Sequence, residues 1–129
     1  MTPELTVLAL AALLQAFQIG LAAIVMNGDV GARWNAGPRD TQPEFSPLTG
    51  RLRRAVNNHF ESLAFLTIAV VVVSLSDQNS AFTAAAAWVH LLARVLYIPA
   101  YAFGWTPWRS VIWGVGFMAA MAMILAALI

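Results

Sequence analysis

The chain alternates between long apolar stretches and short polar ones, and four of the apolar stretches have the length of helices. Leu5 to Met26 is a 22-residue run interrupted mainly by Gln15 and Gln18. As an α-helix it would be about 33 Å long, enough to cross a bilayer. Gly37 to Gly50 then carries Pro38, Pro43 and Pro47 within 14 residues and reads as a loop. A second helix is expected from near Pro47 to Ser76, and Asp77 to Ser80 forms a tight polar turn. The third covers about Phe82 to Phe103. After Gly104-Trp-Thr-Pro107, with Thr106 as cap and Pro107 in the first turn, the fourth runs to Ile129. The pattern predicts one all-α, four-span membrane domain over residues 1–129, with helices at about 3–34, 48–76, 81–103 and 107–129.

The second helix departs from a plain membrane span. Its uninterrupted apolar part, Leu63 to Leu75, has only 13 residues, and a bilayer core needs roughly 20. Counting back from Ser76 therefore puts Asn57, Asn58, His59 and Glu61 in the hydrocarbon zone, with Arg54 at its edge. Arg54, Asn58 and Glu61 are spaced by four and three, so they share a helix face. Ionisable groups at such depth cost a few kcal/mol, so they turn inward and find partners. They form either a polar pocket between helices or internal packing partners around a snorkelling arginine.

His90, Arg94, Tyr97 and Tyr101 make a second stripe on the third helix, spaced by four, three and four. Measured from the opposite end of each span, Glu61 and Arg94 lie at similar depths, about 22 and 18 Å. A charge-assisted Glu61–Arg94 pair is expected, because either charge alone would be costly. His90, like Gln15 and Gln18, reads as an interhelical hydrogen-bonding residue.

Composition narrows the class. Hydrophobic residues make up 60% of the chain and charged residues 10%, and the mean hydropathy is +0.74, as in an integral membrane protein. The formal charge of +1 says nothing about nucleic acid, but the arginines are spread over helix ends instead of forming a basic face, so no nucleic-acid partner is expected. Without cysteine, any thiol chemistry must arrive with a ligand. The residues offer no metal-binding cluster. The leader Met-Thr-Pro-Glu has no positive charge, so the first helix is expected to be retained. Arg33, Arg39, Arg51, Arg53 and Arg54 flank the first loop and Arg109 follows the third, whereas the middle turn carries Asp77. By the positive-inside rule the first and third loops are cytoplasmic and both termini lie outside.

Arg54-Ala-x-x-Asn58-x-x-Glu61, then Arg94-x-x-Tyr97-x-x-x-Tyr101, then Arg109-Ser110 eight residues on, resembles the MAPEG family, the membrane-associated proteins of eicosanoid and glutathione metabolism. Ala36-Gly-Pro-Arg-Asp40, followed by the proline-containing loop, is similar to prokaryotic members in particular. The resemblance implies a homotrimer of four-helix protomers with glutathione as co-substrate in a cytoplasmic-side cleft between neighbours. By matching position, Arg54, Asn58 and Glu61 would bind its polar backbone, and Arg94, Tyr97 and Tyr101 would line the opposite wall. Arg109 would stabilise the thiolate, and Arg33 would be the arginine contributed by a neighbouring protomer. The activity implied is that of a membrane-embedded transferase or peroxidase acting on small lipophilic electrophiles, with membrane lipids around it. The competing reading is a noncatalytic membrane subunit or lipid-binding scaffold that uses the same stripes for packing. Two features depart from the family pattern. No proline follows Glu61 closely, and Pro99 lies between the two tyrosines, where a kink would affect the direction of Tyr101.

Overall fold

A computed structural model describes all residues, 1–129, and is entirely helical. Its elements are α1 (Pro3–Val30), a short α2 (Ala32–Ala36), α3 (Pro47–Leu75), α4 (Ala81–Ala102) and α5 (Trp108–Leu128). The four long helices are each long and apolar enough to cross a membrane. The protein is an integral, multi-pass four-helix membrane bundle.

Local chemistry sets most helix ends. Thr2 caps α1 through Leu5 N, and Ser46 caps α3 through Thr49 N, with a proline in the first turn of each. Ser80 and Thr83 form a reciprocal capping box on α4. Two ends differ from expectation. The first helix does not continue to residue 34, because Gly31 takes φ +85° and the chain restarts as α2. Such a left-handed conformation favours glycine. At α5 the cap position is Pro107 itself, which has no side-chain acceptor, and the Thr106 hydroxyl donates instead to Gly104 O at 3.3 Å.

Only 29 of 129 residues are buried, and large apolar side chains such as Phe17, Ile24, Phe65, Leu92 and Met118 face outward. Lipid is the solvent such faces require. Inside, small residues allow the helices to approach closely, most extensively between α4 and α5 and between α1 and α3. The apolar core is split. Val7, Ala11, Leu66, Val70, Val73, Ala87, Leu91 and Met123 pack toward one end, and Ala22, Leu52 and Ala102 toward the other. Between these clusters lies a layer of buried polar side chains, Gln15, Gln18, His59, His90 and Arg94.

Candidate functional site

Each member of the polar layer reaches for a partner, since an unpaired group there loses water without compensation. Gln15 Nε2 donates to Val56 O at 3.0 Å, and Gln18 Nε2 donates to Gln15 Oε1 at 3.3 Å. His90 bonds the Gly116 carbonyl through Nδ1 at 2.7 Å and meets the Ser62 hydroxyl through Nε2 at 3.3 Å. It therefore ties α4 to α5 and α3, the bridging role expected from its position.

Arg94 is 1% exposed. Its Nε donates to His59 Nδ1 at 3.2 Å and its Nη1 to Asn58 Oδ1 at 2.9 Å. Its guanidinium carbon stands 4.3 Å from the centre of the Tyr97 ring. The expected Glu61–Arg94 pair is not formed. His59 and Asn58 take Arg94 Nε and Nη1, its Nη2 is buried without a partner, and Glu61, one turn further along α3, is exposed and faces outward. The buried face of α3 runs through Leu52, Ala55, His59, Leu66, Ala69 and Val73. That seam lies about one position away from the Arg54–Asn58–Glu61 stripe, so the stripe borders the core instead of entering it.

What the stripe does line is an open cleft of about 230 Å³, shared with Asn57, Tyr97, Tyr101 and Arg109. Tyr101 is its centre. The Tyr101 hydroxyl accepts from Arg54 Nε at 2.9 Å, and the ring stacks edge-on against Tyr97 with centroids 5.6 Å apart. The Arg109 guanidinium carbon lies 4.9 Å from the Tyr101 ring centre and that of Arg54 5.7 Å. Two cations thus approach one aromatic ring, an attraction worth about 0.5–2 kcal/mol each. α4 continues through Pro99 to Ala102, and Tyr101 lines the cleft.

Arg54, Asn58, Glu61, Tyr97, Tyr101 and Arg109 therefore come together, while Arg94 is buried behind the wall rather than lining it. Arg33 stands apart, exposed on α2. No cluster of His, Asp and Glu able to hold a metal occurs. The sequence reading missed Asn57 as a lining residue and His59 as the partner of Arg94. His59 interrupts an otherwise apolar seam on α3, and that interruption was the available signal.

A bundle of four apolar helices, with arginines, a carboxylate and two tyrosines gathered on α3, α4 and the start of α5, matches one family model, described as MAPEG family, over residues 7–129. The chain belongs to the MAPEG family. No curated protein matches the sequence. In this MAPEG chain the match reaches into all four spans, and every residue of the cleft falls within it.

Proposed function

We propose that the protein is a membrane-embedded, glutathione-dependent transferase or peroxidase acting on lipophilic electrophiles, assembled as a homotrimer. The observation that carries this reading is the charge pattern of a single wall. Arg54 and Arg109 flank Tyr101, and Glu61 lines the same cleft. Glutathione carries two carboxylates, an ammonium and a thiol, so it calls for arginines, a carboxylate and a cation near sulfur. MAPEG membership fits the same ligand.

In this reading Arg54 and Asn58 take the acidic groups, Glu61 takes the ammonium, and Tyr97 and Tyr101 form the apolar side. Arg94 supports the wall from behind. Arg109 is at the start of α5, where the helix dipole adds to its charge, and it favours the thiolate over the thiol. The thiol proton passes to solvent, and the thiolate attacks an electrophile entering from the bilayer, forming a carbon–sulfur bond as the electrophile's leaving group departs with the bonding pair. Arg33 reaches the cleft of a neighbouring protomer, and the cleft opens on the cytoplasmic side, with both termini outside.

A noncatalytic packing role has one observation in its favour. His59 and His90 both bond to backbone carbonyls of neighbouring helices, Ala11 O and Gly116 O. One experiment separates the readings. Millimolar glutathione should raise the melting temperature of the detergent-solubilised protein, and this shift should shrink for Arg109→Ala and Glu61→Ala. No shift in the wild type, or an equal shift in both variants, would end the enzyme reading.

A further inference from the structure

Asn58 belongs to the cleft, yet it is gripped from the interior. Arg94 Nη1 donates to its Oδ1 at 2.9 Å, Arg94 Nε donates to His59 Nδ1 at 3.2 Å, and His59 Nε2 meets Ala11 O at 2.9 Å. Arg94 and His59 are each 1% exposed. The chemistry of the groups fixes every proton along this chain. A guanidinium can only donate, so the Asn58 atom facing it must be the oxygen and the His59 nitrogen facing it must carry a lone pair. A carbonyl can only accept, so His59 must bear its proton on Nε2. His59 is therefore neutral, in a single tautomer.

The consequence appears in the cleft. With its oxygen turned to Arg94, Asn58 has its NH₂ left over, and no protein group accepts from it. We propose that His59 and Arg94 are positioning residues that lock the Asn58 amide with its NH₂ toward the cleft. That point becomes a donor site for an anionic acceptor, a carboxylate of the tripeptide. The inference rests on the glutathione reading above. The buried cation also polarises the amide it holds, which strengthens the outward donor. Lysine is a poor replacement for Arg94, because its single ammonium nitrogen cannot stand at both the Nε and the Nη1 positions from which the guanidinium donates.

The decisive variant is Asn58→Asp in the full chain, reconstituted in lipid nanodiscs. It keeps an acceptor for Arg94, so the fold should melt at or above the wild-type temperature. It also replaces the outward NH₂ with an oxygen, so glutathione affinity should fall at least about tenfold. His59→Leu removes the acceptor that steadies Arg94 and should weaken binding similarly, whereas His59→Asn, which retains a δ-position acceptor, should recover much of the loss. For each variant with turnover, the change should fall on KM for glutathione rather than on kcat. Independently of ligand, ¹⁵N spectra of histidine-labelled protein should show His59 unprotonated at Nδ1. The opposite tautomer overturns the proposal. If wild type binds glutathione and Asn58→Asp and His59→Leu bind it equally well, this inference alone falls. If wild type binds none, the functional reading falls and the subsite with it.

Discussion

Gly116 provides the sharpest test of how closely the helices must approach. A Cβ placed there would lie 3.3 Å from Ala93 Cβ and 3.8 Å from both His90 Nδ1 and His90 O. Ala93 Cβ is attached directly to the backbone and cannot rotate away, so α4 and α5 would have to separate by a few tenths of an ångström. The His90–Gly116 hydrogen bond, 2.7 Å long, would stretch with them. Overpacking of this kind costs about 1–3 kcal/mol, and replacing a helical glycine by alanine returns about 1 kcal/mol. Gly116→Ala should therefore destabilise by about 0–2 kcal/mol. Ala93→Gly alone should cost about 1 kcal/mol of helix propensity. The double variant moves one methyl across the interface, removes the clash and leaves the propensities balanced, so it should melt close to wild type. The coupling between the two sites should then be about 1–3 kcal/mol. Thermal unfolding in detergent, followed by tryptophan fluorescence with Trp113 on the same helix as a reporter, measures all four corners of the cycle. Additive effects, or a Gly116→Ala variant more stable than wild type by the full propensity gain, would refute the close-contact argument.

Further expectations concern the cleft and its surroundings. Arg109→Ala should raise the pH at which bound glutathione forms thiolate, read from thiolate absorbance, whereas Arg109→Lys should preserve part of the effect; the Coulomb term at about 4 Å and an effective dielectric of 20 sets an upper limit near 4 kcal/mol. Tyr101→Phe removes only the acceptor for Arg54 and should raise KM for glutathione less than about tenfold, while Tyr101→Ala also removes the ring beside both guanidiniums and should cost more. Asp29 accepts from Ser46 N at 2.9 Å and from the Thr49 hydroxyl, tying the end of α1 to the start of α3. Asp29→Ala should therefore lower stability by about 1 kcal/mol and speed limited proteolysis within residues 37–46. If Arg33 serves a neighbour's cleft, subunits carrying Arg33→Ala and Arg109→Ala should complement each other when co-expressed. Random mixing restores about one site in four, and no recovery of activity would exclude a shared site.

The sequence made some of this legible and obscured the rest for a physical reason. On α4 the polar stripe and the buried face coincide, because His90, Arg94 and Tyr97 are themselves the core residues at that level. Spacing alone therefore found them. On α3 the two differ by about one position. The conspicuous residues Arg54, Asn58 and Glu61 are offset from the seam of Leu52, Ala55, His59, Leu66, Ala69 and Val73. Reading the charged stripe as the inward face led to a Glu61–Arg94 pair, when a neutral histidine on the true seam was the partner in place. Helix existence followed from apolar length, but the break at Gly31 depended on a backbone conformation that the flanking apolar pattern does not encode.

That offset accounts for the cleft. A charged ladder on the seam would have been largely taken up by internal bonds, as Arg94 Nε and Nη1 are; displaced toward the edge of the bundle, it keeps free hydrogen-bonding capacity on Glu61, Arg109 and the NH₂ of Asn58. At the depth inferred from the short apolar half of α3, such a surface cannot face lipid without cost, so it requires a cover that is itself polar. The cleft of about 230 Å³ is smaller than the roughly 300–1,000 Å³ of complete small-molecule pockets. A ligand filling it would project beyond this protomer's wall and need a second one. On the proposed trimeric, glutathione-binding reading, loss of glutathione binding on dissociating the assembly, with helix content intact, is the expected outcome, and full-affinity binding by an isolated protomer would contradict it.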